Sequence, residues 1–268
     1  MVGVRGGVRV CAGRRLFVTA MVMAVIGVVA VPSASGALPA SGTAPTIVGG
    51  DPVGAHQIPS LAALLIPGSS DPRDRLVCSG TVVAPDVVMS AGHCIDPLLF
   101  GYAIEVQTGS RDLGGTGSTT RRVVSAVVNR TFWYTGVSSD IALFKLASSQ
   151  PSPASRLALG TDIGLTKAPA PVQIAGWGLT TKLAVFEPPP FDARPPTRAR
   201  VVTVPIVSDA KCEAAYADLD PTILVRATDI CAGVEGKDAC YGDSGGPMYA
   251  TDPTRGAVQI GVVSRGAG

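Results

Sequence analysis

Histidine and charged side chains are scarce in this sequence. Its 268 residues include two histidines, His56 and His93, and charged residues make up 16% of the chain beside 32 glycines and 22 prolines. Histidine-dependent chemistry therefore has only two candidate residues. No CxxC or HExxH spacing occurs, which argues against the common zinc sites. This composition favours many short strands joined by turns over a helical bundle.

Acidic residues are absent from the first 46 positions, which carry four arginines. The rest of the chain keeps 18 of the 22 basic residues against all 20 acidic ones, a net charge of −2. A balance so close to neutral predicts neither a nucleic-acid partner nor attraction to a membrane surface.

The N-terminus has the pattern of an export signal. Arg14 and Arg15 precede an uncharged apolar run from Leu16 to Val31, and small residues then offer a cleavage site after Ala37. A membrane anchor is the alternative, because sixteen apolar residues nearly span a bilayer. The paired arginines also match, weakly, a twin-arginine export motif. We expect a signal peptide over residues 1–37, a secreted product and no membrane attachment after its removal.

One serine, Ser244, lies among three glycines in Cys-Tyr-Gly-Asp-Ser-Gly-Gly-Pro. Glycines permit a tight turn with uncovered amides, so the amides of Gly242 and Ser244 can form an oxyanion hole. A glycine-serine turn without catalytic function is the simple alternative. The nucleophile elbow also fits G-x-S-x-G, but it requires a histidine after the serine, and both histidines precede Ser244. A triad in the order His, Asp, Ser remains.

Four segments in this order resemble the trypsin/chymotrypsin family of serine proteases: Ile47-Val48-Gly49-Gly50, Ser90-Ala91-Gly92-His93-Cys94, Asp140-Ile141-Ala142-Leu143 and Gly242-Asp243-Ser244-Gly245-Gly246-Pro247. The resemblance covers essentially everything after residue 46. It implies an all-β fold of two six-stranded antiparallel barrels, residues 47–150 and 151–268, with the active site in the cleft between them.

Strand-like runs support this fold class through their length and β-branched content. We predict nine of them: Leu61–Ile66, Thr81–Val83, Val87–Ser90, Ile104–Thr108, Val123–Val128, Ile141–Leu146, Val172–Ala175, Val201–Val207 and Val258–Ser264. The sequence supports a single short helix, which begins near Ser208 as N-cap and continues through Tyr216.

The resemblance also implies the catalytic roles. His93 would accept the proton of Ser244 and pass it to the leaving amine, while Asp140 would fix the histidine tautomer and stabilise the imidazolium. Gly242 and Ser244 would form the oxyanion hole. A loop aspartate that caps the following strand is the alternative for Asp140. His56 lies outside any motif and is interpreted as a surface histidine.

Substrate contacts follow from the same resemblance. Asp238, six residues before Ser244, would lie at the base of the pocket that takes Arg or Lys. A solvated acidic loop is the alternative. Ser264 and Gly266 would pair with the bound substrate as an added strand. Arg265 stands between them, where the family usually has Trp, which should weaken binding of residues upstream of the cleaved bond.

Residues 38–46 are interpreted as a propeptide, which would make the chain a zymogen. Cleavage after Thr46 would create an amino terminus at Ile47, and in the family this terminus pairs with the aspartate before the serine, here Asp243. Relatives of the trypsinogen type carry Lys or Arg at the position of Thr46. Another protease is therefore expected to activate the chain.

Five cysteines remain once the signal is removed. The resemblance pairs Cys78 with Cys94 and Cys212 with Cys231, whereas spacing alone leaves the connectivity open. Cys240 is left over from this pairing. No cofactor and no metal are expected, because the loop over residues 108–118 lacks the paired glutamates of calcium-binding relatives.

Family members continue beyond the position that corresponds to Gly268, with a cysteine at once. We therefore expect a second barrel that is incomplete at its C-terminus, in a fragment or a truncated product. Two hypotheses stay open. One is a secreted, monomeric serine endopeptidase that acts on proteins or peptides and is a target for protein inhibitors. The other is a non-catalytic homologue that binds a protein, which Arg265 and the short second barrel favour.

Overall fold

The computed structural model describes residues 49–54, 56–136, 138–180, 190, 192–217, 227–237 and 239–266. This part of the chain contains twelve strands: β1 Asp51–Pro52, β2 Leu61–Leu65, β3 Leu76–Ala84, β4 Val87–Ser90, β5 Glu105–Thr108, β6 Thr119–Val128, β7 Ala142–Leu146, β8 Pro171–Gly176, β9 Arg200–Val207, β10 Cys231–Ala232, β11 Pro247–Asp252 and β12 Gly256–Val262. Its α-helices are α1 Asp96–Leu99, α2 Arg130–Thr135 and α3 Asp209–Ala217.

The first six-stranded sheet closes into a barrel in the order β2-β3-β4-β7-β6-β5, with every pair antiparallel. Burial along β7 alternates, so that Ala142, Phe144 and Leu146 point into the barrel and the residues between them face outward. This period of two is the signature of a strand with one face in the core. The barrel interior is filled by aliphatic side chains, Phe144 and the cysteines Cys78 and Cys94.

The second sheet has the order β1-β9-β8-β11-β12, with β10 also paired to β9, and it is antiparallel throughout. It is not closed within the described residues. Its core consists of alternating apolar residues from β8, β9, β11 and β12. The predicted all-β fold of two six-stranded antiparallel barrels, the second of them incomplete, is confirmed: within the described residues the first sheet is closed and the second is open.

A third apolar cluster joins the two sheets. Trp177 is fully buried there and packs with residues of β2 and of the second sheet. The buried hydroxyl of Tyr249 on β11 hydrogen-bonds Ser60 before β2 at 2.9 Å and Ser155 in the connecting segment at 3.0 Å. These contacts fix one sheet against the other, which positions any site built from both.

The helix prediction was correct for α3 and incomplete elsewhere. Helices α1 and α2 and strands β1, β10 and β11 were not predicted. Asn129 caps α2 by accepting a hydrogen bond from the amide of Thr131 at 2.8 Å, and Gly136 ends the helix at φ +69°. Helices of four and six residues are too short for a 3.6-residue hydrophobic pattern, so the local signal that α2 offers is its pair of capping residues.

Two disulfides are present, Cys78–Cys94 between β3 and the turn after β4, and Cys212–Cys231 between α3 and β10. They are the pairs that the resemblance implies. Within the described residues, no helix has both the length and the apolar character needed to cross a membrane.

Candidate active site

His93 and Asp140 meet because their strands are neighbours. His93 lies in the 3₁₀ turn Gly92–Ile95 that follows β4, and Asp140 precedes β7, which pairs with β4. The Nδ1 atom of His93 lies 2.8 Å from Oδ2 of Asp140. The backbone N–H of His93 donates to the other carboxylate oxygen at 2.9 Å. The carboxylate therefore holds both the ring and the backbone of the histidine.

The environment of this pair sets both pKa values. Asp140 is 5% exposed, and its burial raises its pKa, but hydrogen bonds and the charge of His93 lower the pKa to a net value below normal. Burial lowers the pKa of His93, and the hydrogen bond and charge of Asp140 outweigh it, so the net pKa is raised. A partly exposed imidazole held by a buried carboxylate can accept a proton and remain stable as imidazolium.

Ser264, two residues after β12, completes the surroundings of Asp140. Its hydroxyl donates to Oδ2 of Asp140 at 2.6 Å, and the residue is buried. The sequence predicted Ser264 only as a substrate contact. Nothing local to residue 264 indicates a hydrogen bond to a residue 124 positions earlier, so only the tertiary structure reveals it.

The turn that carries Ser244 is anchored to both sheets. The carbonyl of Ser244 accepts from the amide of Ser79 on β3 at 2.8 Å, and the amide of Gly245 donates to Val263 after β12 at 2.7 Å. The hydroxyl of Ser79 donates to the carbonyl of Gly242 at 2.8 Å. Because Ser264 follows Val263 and touches Asp140, these bonds bring Ser244 to the same region as His93 and Asp140.

Gly245 is required by this close approach. Its φ is +77°, and a Cβ there would overlap Ser90 Oγ and the Ser79 carbonyl. We expect Gly245→Ala to lower the free energy of unfolding by about 3 kcal/mol, since positive φ and overpacking both oppose a methyl group. Gly256→Ala is the matched control: φ is +75° with nothing within 4 Å, so we expect a loss of about 1 kcal/mol. Urea denaturation measures both, and equal losses would contradict the packing argument.

Asp243 is fully buried beside this turn. Its carboxylate accepts from the amides of Gly178 at 2.7 Å and Cys240 at 2.9 Å. Burial raises the pKa of Asp243 to about 7, despite these two hydrogen bonds. In the part of the chain that the structure describes, no cationic side chain forms an ion pair with it. A buried carboxylate of this kind is a strong site for an added positive charge.

The remaining predicted residues divide into two groups. Gly242, half-buried at φ +99°, and the exposed Gly266 lie within the described residues. Ile47 and Asp238 lie outside them. Gly49, two residues after Ile47, packs closely against Gly236 and Lys237, so the start of the domain passes near the segment before Asp238.

Arg265 contacts a residue that the sequence did not suggest. Its guanidinium forms an ion pair with the buried carboxylate of Asp229, just before β10. The position where the family usually has Trp thus carries a charged side chain tied to the second sheet. A separate cavity of about 650 Å³ is lined in part by Tyr241 and Gly242, before Ser244 in the chain.

Three potential metal ligands also occur together. Ligand atoms of Cys78, His93 and Cys94 all lie within 4.8 Å of one another. The two sulfur atoms are joined in a disulfide, so they offer no thiolate to a metal ion.

Comparison with known proteins identifies the relationship. The model of the Trypsin family matches residues 47–268. The chain is 31% identical over 224 residues to a trypsin-like protease of Streptomyces glaucescens, covering 83% of this chain and 73% of that protein. It is 33% identical over 196 residues to Trypsin Blo t 3 of Blomia tropicalis, with 70% and 69% covered, and 30% identical over 204 residues to Trypsin-1 of Astacus astacus, with 71% and 77% covered. The chain belongs to the trypsin-like family of serine proteases.

Proposed function

We propose that this chain is a secreted serine endopeptidase that hydrolyses peptide bonds after Arg or Lys. The observation that carries the proposal is the 2.8 Å contact between His93 Nδ1 and Asp140, beside the anchored turn of Ser244. Proteins or peptides are its substrates, a second protease activates it, and protein inhibitors of the family are its further partners. We propose that it acts as a monomer.

The mechanism assigns one task to each residue. His93 takes the hydroxyl proton of Ser244 as Oγ attacks the carbonyl carbon, and then donates that proton to the departing amine. The acyl group remains on Ser244 until water, deprotonated by His93, releases it. Asp140 keeps the Nδ1 proton of His93 in place and stabilises the imidazolium, and the 2.6 Å bond from Ser264 holds Asp140.

Charge on the carbonyl oxygen is stabilised by the amides of Gly242 and Ser244 in this proposal. The positive φ of Gly242 is compatible with a turn that presents both amides to one point. The neighbouring 650 Å³ cavity then provides room for the part of the substrate that follows the cleaved bond. Ser264 and Gly266 pair with the part that precedes it.

Asp238 sets the preference for a cation in this proposal. With the chain cut before Ile47, we expect an Arg-amide substrate to be hydrolysed at least 100-fold faster, in kcat/KM, than the matched Phe-amide. Asp238→Ser should remove most of that ratio, whereas Glu235→Gln, three residues earlier, should retain it. A preference for Phe in the unaltered chain would disprove the assignment.

Asp243 gives the precursor a specific pH dependence. Its pKa is raised from 3.8 to about 7 in the folded chain. Between these two pH values the folded state therefore keeps a proton on Asp243 that the unfolded state has lost. The associated stability is fully present below pH 4 and is lost as the pH rises to 7, by up to about 4 kcal/mol. Urea denaturation of the uncut chain between pH 4 and 8 should show this loss.

Two variants and the cut chain test the interpretation. Asp243→Asn should remove the loss of stability, and Asp51→Asn, at an exposed position on β1, should retain it. In the chain that begins at Ile47 the loss should also disappear, because the new ammonium group compensates the carboxylate. An unchanged profile after the cut would contradict the activation proposal.

A non-catalytic homologue is the second candidate function. The ion pair of Arg265 with Asp229 favours it, because a charged side chain replaces an apolar wall for the substrate. This candidate predicts a folded chain, cut before Ile47, that hydrolyses no peptide amide and does not react with a serine-directed phosphonylating reagent. Covalent labelling of Ser244 at a 1:1 ratio would exclude it.

A further inference from the structure

Arg111 is a buried cation in the loop between β5 and β6, in the region where the two sheets meet. The residue is 8% exposed. Its carbonyl accepts hydrogen bonds from the indole Nε1 of Trp177 at 3.1 Å and from the amide of Ala199 at 2.8 Å. These bonds fix the backbone of Arg111 beside the apolar cluster that joins the sheets.

The guanidinium of Arg111 has unused donors. Its Nε and Nη1 atoms are buried and have no hydrogen-bond partner within the described residues. Arginine is almost never buried without a partner, because an isolated charge of low solvent exposure is strongly unfavourable. These buried donors therefore indicate an acceptor that the protein's described groups do not supply.

The neighbouring charges leave the positive charge of Arg111 uncompensated. Burial lowers the pKa of Arg111, and the positive charge of Arg198 lowers it further, with the Tyr249 hydroxyl as the opposing influence. Asp112 is the adjacent acid, but its carboxylate is partly exposed and pairs with Arg198 at 3.3 Å. The Tyr249 hydroxyl is already engaged by Ser60 and Ser155. The surroundings of Arg111 thus carry excess positive charge.

We propose that Arg111 binds a small monovalent anion, a halide or a small carboxylate, at the guanidinium edge that carries Nε. The Nε–H and Nη1–H bonds point away from opposite edges of the guanidinium, so one anion accepts a charge-assisted hydrogen bond from Nε and supplies the counter-charge that the group lacks. The bound anion neutralises the buried charge of Arg111. It thereby stabilises the contact between the sheets. This site is independent of the proposed peptidase activity.

Thermal unfolding tests the proposal at constant sodium concentration. Sodium gluconate is the reference salt, and chloride or acetate replaces the gluconate. We expect a saturable rise of about 3–6 °C in the Tm of the unaltered full chain in at least one of the two small anions. Arg111→Met should show a rise below 1 °C. Arg122→Met, which removes an exposed arginine of β6, should keep the full rise. Which anion acts distinguishes a halide site from a carboxylate site.

A second expectation concerns stability in gluconate, without chloride or acetate. In this salt Arg111→Met should be at least as stable as the unaltered chain, because the variant lacks the uncompensated buried charge. Crystals of the unaltered chain soaked in bromide should also show an anomalous peak within hydrogen-bond distance of Arg111. Equal anion responses in the unaltered chain and Arg111→Met, or no response to either anion together with no bromide peak, would overturn the proposal.

Discussion

Replacing Ser244 with alanine is expected to lower kcat/KM for an Arg-amide substrate by about 10⁴–10⁶-fold in the chain that begins at Ile47. The variant retains the substrate contacts and the oxyanion amides, but it has no oxygen to form the acyl-enzyme. Because half-buried Ser244 adds only a hydroxyl group at the surface of the turn, the free energy of unfolding should change by less than about 0.5 kcal/mol. Steady-state kinetics and urea denaturation measure the two quantities.

Ser125→Ala is the matched control, because it makes the same chemical change at an exposed position of β6 on the first barrel. Its kcat/KM should equal that of the unaltered chain. More than 1% residual activity in Ser244→Ala would show that Ser244 is not the nucleophile. A folded but inactive chain starting at Ile47 would instead support the non-catalytic homologue.

Asp140→Asn is expected to lower kcat by about 10⁴-fold with little change in KM. The carboxylate accepts a hydrogen bond from His93 at Nδ1, which keeps the proton there and leaves Nε2 available as a base. An amide in its place can donate to Nδ1 instead, and the histidine then carries its proton on the wrong nitrogen. Ser264→Ala removes only one 2.6 Å hydrogen bond to Asp140, so its loss of kcat should be about 10-fold.

The pH profile separates this role from a merely structural one. The base form of His93 is required, so kcat/KM should fall as the pH falls through the pKa of His93. Asp140 raises that pKa, so the acid limb of Asp140→Asn should move to lower pH. Ser264→Ala should keep the acid limb near that of the unaltered chain. An unmoved limb in Asp140→Asn would show that Asp140 does not act on His93.

Local sequence patterns predicted most of the strands, because the preference of a short segment for a strand depends on its own residues. Strand-like length and composition in Ile141–Leu146 indicated β7, and the same signal located β2, β4, β8 and β9 within one or two residues. Strand β11 was missed because its segment, Pro247–Asp252, lacks β-branched residues apart from Thr251 and directly follows two glycines. Its pairing with β8 and β12 holds it in the sheet.

The candidate site was predicted only as a set of residues. Short motifs around His93, Asp140 and Ser244 indicated their chemistry, and those roles stay predictions until kinetics test them. The motifs contain no information on the contact of Ser264 with Asp140, or on the ion pair of Arg265 with Asp229. Each of those contacts joins residues more than 30 positions apart, which no local pattern encodes.

The sequence by itself determined the fold class, the family and the candidate residues, because strand-like composition and short motifs are properties of neighbouring residues. Only the tertiary structure decided which groups meet and which stay without a counter-charge. The neighbouring ends of β4 and β7 bring Asp140 to His93, and packing between the sheets buries Asp243 and Arg111. Burial depends on elements distant in the chain. It strengthens the electrostatic interactions of these charges and shifts their pKa values.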